Sequence, residues 1–139
     1  MDVAGRALAR DLISNRELAG SVISLSGELG AGKTTFCRGF IRECGVTERI
    51  KSPTYTLLEQ YSTRHAHLCH LDLYRISDVE ELEFVGFREL LEADACLLVE
   101  WPQRVPEVQA LTTIAVDIAH VDQFARELTV RGTDRYVIA

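Results

Sequence analysis

The stretch Gly27-Glu28-Leu29-Gly30-Ala31-Gly32-Lys33-Thr34 constrains this chain more than any other feature. It fills every fixed position of G-x-x-x-x-G-K-[ST], and the context that gives this spacing meaning is present on both sides. Before it, Ser21 to Ser26 is a short apolar run that reads as a buried strand. After it, Phe36, Phe40 and Ile41 fall at helical spacing, and Gly45 is placed to end the helix. Glycines allow a backbone turn whose N–H groups converge on phosphate oxygens, and a helix opening near Lys33 adds its positive N-terminal end. Gly30, Ala31, Gly32, Lys33, Thr34 and Thr35 are therefore expected to contact a nucleotide. The Lys33 ammonium would reach the β and γ phosphates, the Thr34 hydroxyl would ligate Mg²⁺, and Thr35 would lie on the α-phosphate side.

Such a loop needs a carboxylate at the end of a neighbouring strand to hold the cation, directly or through water. Cys96-Leu97-Leu98-Val99-Glu100 has that form, an apolar strand ending in an acid. Leu71-Asp72-Leu73-Tyr74 is the second candidate, with Arg75 as a possible ion-pair partner for the acid. We assign Glu100 to Mg²⁺ and Asp72 to the neighbourhood of the γ-phosphate or its attacking water. Lys33, Asp72 and Glu100 are thus the expected catalytic set, and Thr34 with Glu100 the expected metal ligands. His65, His67, Cys69 and His70 invite a zinc reading. Strand alternation puts the first three on one face, an awkward row for tetrahedral Zn²⁺, and leaves His70 with Asp72, whose carboxylate it could orient.

The rest of the chain reads as one α/β domain over residues 1–139. Helical spacing runs from Val3 to Leu12. Ser52-Pro53 breaks the chain, at a place where a mobile γ-phosphate sensor could sit, and Thr54 to Tyr61 and Ala66 to Tyr74 read as strands. Val79 to Leu91 reads as short helices interrupted at Gly86, and Ala95 to Val99 as a buried strand before Trp101-Pro102. Thr112 to Ile118, Glu127 to Arg131 and Arg135 to Ile138 read as three closing strands. The expected architecture is a three-layer sandwich, mostly parallel at its centre and antiparallel toward the C-terminus.

Composition removes several alternatives. The net charge of −6 argues against autonomous nucleic-acid binding, which draws its affinity from phosphate neutralisation. Cys37, Cys44, Cys69 and Cys96 show no C-x-x-C or disulfide-framework spacing, as expected in a reducing cytoplasm. No apolar run is long enough to span a bilayer, and residues 1–6 carry no signal-peptide core. The Arg-rich lid insertion of small-molecule kinases is not evident either.

Taken together, GELGAGKTTFCRGF from Gly27, KSPTYTLLEQY from Lys51, HLDLYR from His70, EELEFVGF from Glu80 and LLVEWPQR from Leu97 resemble the TsaE family of small bacterial ATPases. These blocks cover most of residues 21–104 in the family's order. The resemblance implies a P-loop NTPase-like fold, ATP with Mg²⁺ as ligands, and action with TsaB and TsaD. Together they attach threonylcarbamate to the adenosine beside the anticodon of certain tRNAs. TsaD would carry the transfer chemistry, and ATP hydrolysis here would permit repeated turnover. The resemblance also makes Asp72 necessary for hydrolysis, Trp101 a functional neighbour, and Arg126 an arginine that approaches the nucleotide. Members usually carry a further strand and an acidic residue ahead of the first helix. This chain reads as opening at or inside that helix, from which either an incomplete adenine side of the pocket or a misassigned start is expected.

A nucleotide-gated binding module is the alternative. In it, ATP orders residues 52–54 into a partner surface and hydrolysis is incidental.

Overall fold

In the computed structural model, which describes residues 1–132, the apolar run before the glycines is β1 (Val22–Ser26) and the segment after them is α2 (Lys33–Glu43). The chain enters through α1 (Asp2–Ser14), which crosses α2 at close range. Two glycines make that approach possible. A Cβ on Gly5 would collide with the Phe36 carbonyl oxygen, and one on Gly39 with the carbonyl oxygen of Asp2. Around this contact Leu8, Ala9, Leu12, Phe36, Cys37 and Phe40 are buried.

Six strands form one sheet in the order β2-β3-β4-β1-β5-β6. The four inner strands, β3 (His67–Asp72), β4 (Cys96–Glu100), β1 and β5 (Ile114–His120), run parallel. The edge strands β2 (Leu58–Ser62) and β6 (Arg126–Gly132) are antiparallel to their neighbours. The two central strands, β1 and β4, are nearly continuous buried runs, as cover on both faces requires, whereas β5 alternates buried and partly exposed residues. Ile23, Leu25, Leu68, Leu98, Ile114 and Val116 face α1 and α2. On the other face Val22, Cys69, Leu71, Leu97 and Val99 meet Leu82 of α3 (Glu80–Glu83) and Phe87 and Leu90 of α4 (Phe87–Glu92). That layer also takes Val105, which follows the 3₁₀ turn Pro102–Arg104, and Val108 of α5 (Pro106–Gln109). The result is the three-layer sandwich expected.

Local departures have local causes. The strand expected from Thr54 begins only at Leu58, because Leu57 holds φ at 71° and its N–H bonds back to the Pro53 carbonyl, which makes a turn. The strand expected to reach Tyr74 stops at Asp72, where the Asp72 carboxylate accepts the Tyr74 N–H and the Leu73 N–H turns to the Glu100 carbonyl. The β2 edge is antiparallel as well, beyond the antiparallel C-terminal strands expected, and the expected strand Arg135 to Ile138 lies outside the described residues.

Gly39→Ala is expected to cost about 1–3 kcal/mol, the usual range for overpacking, because the Asp2 backbone must move aside. Denaturant titration checks this; an unchanged midpoint would mean that α1 and α2 do not meet as described.

Candidate functional site

Parallel pairing aligns the C-terminal ends of β3, β4 and β1, where ligands of open α/β sheets bind. β1 feeds the glycine-rich turn, and Asp72 and Glu100 are register partners at the ends of β3 and β4. Gly32, at φ 113°, is the N-cap of α2, and no side chain caps the helix, so its first N–H groups stay available to an anion. A side chain would be strained at that φ.

Lys33 curls over the turn. Its ammonium donates to the carbonyls of Gly27 and Glu28, the latter at 3.0 Å, and lies 4.2 Å from the centre of the Trp101 ring. Burial pushes its pKa below the ordinary value, while the charges of Glu100 and Asp72 oppose that shift.

Glu100 is only 3% exposed. The Thr34 hydroxyl lies 3.2 and 3.3 Å from its Oε1 and Oε2, within donating distance of either, and His70 Nε2 is 2.6 Å from Oε2. His70 therefore pairs with Glu100, not with Asp72 as its strand face suggested. Ligand atoms of Cys37, His70 and Glu100 lie within 4.8 Å of one another. Burial, then the nearby Glu100, raise the Cys37 thiol well above its usual range, which keeps it protonated.

Lys33, Thr34 and Glu100 line a cleft of about 450 Å³ with Leu29, Thr54, Tyr74, Arg75 and Trp101, a size suited to a small ligand, while Cys37 and His70 lie buried behind it. Ala31 is buried beneath the turn. Asp72 edges the cleft with one oxygen taken by the Tyr74 N–H. No ion pair joins Asp72 to Arg75 among the described residues; the Arg75 guanidinium instead stands 5.0 Å from the Tyr55 ring centre. Arg126 opens β6 opposite His120, bonded to the carbonyls of Asp122 and Ala125, and does not line the cleft.

Sequence reasoning did not assign Leu29, Tyr74 or Arg75 to the site. Tyr74 packs on Trp101 at 4.9 Å and receives the Arg104 guanidinium at 5.0 Å. The aromatic pair of one strand end with the next was the available signal, but it requires knowing that β3 and β4 are neighbours.

The donor set suits a magnesium nucleotide. Hydroxyl and carboxylate oxygens are the hard ligands Mg²⁺ takes, and both face one cleft beside a lysine and an uncapped helix start.

Residues 2–128 match the family model described as threonylcarbamoyl adenosine biosynthesis protein TsaE. The tRNA threonylcarbamoyladenosine biosynthesis protein TsaE of Haemophilus influenzae is 38% identical over 118 residues, 85% of this chain and 75% of that protein. Its counterpart from Bacillus subtilis is 36% identical over 110 residues, 79% of this chain and 68% of that protein. The crystal structure of YdiB from Bacillus subtilis superimposes with a TM-score of 0.71 at 27% identity, over 98% of this chain and 84% of that one.

Because the Glu100 charge supports the Lys33 ammonium, Glu100→Gln is expected to move the Lys33 titration to lower pH. The ¹³Cε shift of Lys33 followed against pH reads this directly; an upward shift would mean the two groups do not face each other.

Proposed function

Since the chain belongs to the TsaE family, we propose that it binds ATP with Mg²⁺ and hydrolyses it, as a subunit acting with TsaB and TsaD in threonylcarbamoyl modification of tRNA adenosine. The observation that carries this reading is the Thr34 hydroxyl facing the buried Glu100 carboxylate across the mouth of an uncapped α2.

Each residue has a physical task in this reading. The N–H groups from Gly30 to Thr35 hold phosphate oxygens, and Ala31 keeps the turn packed against the core. Lys33 exchanges its carbonyl contacts at Gly27 and Glu28 for the β and γ phosphates, with Trp101 limiting where the ammonium can go. Thr34 and Glu100 hold the cation, which when bound offsets the negative charge that builds on the phosphates. Asp72, with one oxygen spent on Tyr74, keeps the other to accept a proton from a water in line with the γ-phosphate. Arg126 would reach the nucleotide only by giving up its bonds to Asp122 and Ala125.

Two features bear on partners and place. Tyr55 is 84% exposed beside Thr54 at the cleft mouth, so nucleotide-dependent ordering of that loop would alter a surface open to TsaB–TsaD. No helix of the described residues is long and apolar enough to cross a membrane. All four cysteines are buried and free, as suits a reducing cytoplasm. The acidic balance leaves recognition of tRNA to the partners.

Purified protein is expected to turn over ATP slowly alone and faster with TsaB and TsaD. Glu100→Ala should lower turnover by ~100-fold or more, and Lys33→Ala should abolish ATP binding. Phosphate release and calorimetric titration measure these. If a non-hydrolysable ATP analogue supports repeated rounds of tRNA modification as well as ATP does, hydrolysis is incidental and the gated-module alternative holds.

A further inference from the structure

His70 is fully buried in the middle of β3, and among the described residues its ring makes one hydrogen bond, the 2.6 Å contact between Nε2 and Glu100 Oε2. Its Nδ1 is buried with no partner among the described residues. Those two facts assign the proton. A hydrogen on Nδ1 would be a buried donor without an acceptor, which native structures rarely tolerate. A hydrogen on Nε2 is met by a carboxylate. The ring is therefore an Nε2–H donor, and Oε2 of Glu100 is already occupied.

The consequence falls on Oε1. A glutamate end group turns about a broad, two-fold torsion and presents either oxygen or both. Here Oε2 is tied to β3 through His70, and the carboxylate is bounded on the other side by Thr34 of α2. Cys37, the remaining neighbour in the cluster, is a neutral thiol that offers no competing charge. The acid is thus braced from two elements before any cation arrives.

We infer that His70 is a positioning residue for the cation-binding carboxylate, holding Glu100 Oε2 through Nε2–H so that Oε1 is presented with Thr34 to the metal. This rests on the Mg²⁺–nucleotide reading above. Groups that orient a metal ligand from behind typically change metal affinity by about 10–100-fold when removed.

The test uses Mn²⁺ as a paramagnetic probe bound to the protein–ADP complex, with free Mn²⁺ followed by electron paramagnetic resonance. His70→Ala is expected to weaken Mn²⁺ binding by about 10–100-fold while ADP affinity in EDTA changes less than about twofold. His70→Gln, which returns an N–H donor, is expected to recover most of the loss. Unchanged Mn²⁺ affinity in His70→Ala, or equal losses in both variants, overturns the inference. Should His70→Ala fail to fold, the ring ¹⁵N spectrum of the unmodified protein decides: a proton on Nε2 is expected, and an unprotonated Nε2 overturns it. Failure of the wild-type protein–ADP complex to bind Mn²⁺ would instead remove the magnesium–nucleotide reading itself, whatever the ring spectrum shows.

Discussion

A carboxylate almost stripped of water organises this molecule. Glu100 ends β4 with 3% of its surface exposed, where an uncompensated charge would cost several kcal/mol. The compensation comes from separate parts of the chain: a hydroxyl from α2, an imidazole from β3, and the Lys33 ammonium near enough to feel its field. None of these can serve unless β1, β4 and β3 lie side by side and parallel, in the register that sets Asp72 beside Glu100. The sheet order is therefore as much a requirement of the site as of the core.

The same economy of position appears one residue later. Trp101 holds φ at 59°, a left-handed conformation for which a bulky side chain is poorly suited, and Pro102 follows it. Conformations of this kind cost about 1–3 kcal/mol and persist where neighbours over-determine them. Here the ring is held between Lys33 and Tyr74, with Arg104 beyond. The strained turn reverses the chain immediately after the acid and lays an aromatic wall along the lysine. Strain at the strand end thus delivers geometry to the cleft.

What the amino-acid order made legible was local. The glycine spacing, the apolar runs at Ser21–Ser26 and Ala95–Val99, and Gly45, whose φ of 104° closes α2, each state their structure within a few residues. The family blocks extended that reading to Trp101, which packs beside Lys33. The rest depends on which segments become neighbours. Strand alternation placed His70 and Asp72 on one face, but only the β3–β4 register shows that the imidazole meets Glu100. Leu57 breaks the expected strand because a non-glycine residue adopts a left-handed turn there, which propensity does not foretell. Gly5 and Gly39 look like weak points in helices until the α1–α2 crossing gives them a reason.

The proposed function requires a cation site between Thr34 of α2 and Glu100 of β4. Crystals grown with Mn²⁺ and a non-hydrolysable ATP analogue test it most directly, through the anomalous signal of the metal. A peak is expected in contact with Thr34 Oγ1 and, directly or through one water, Glu100 Oε1, with the phosphates lying along the N–H groups that open α2. Phosphates bound elsewhere, or a metal with neither residue near it, would contradict it.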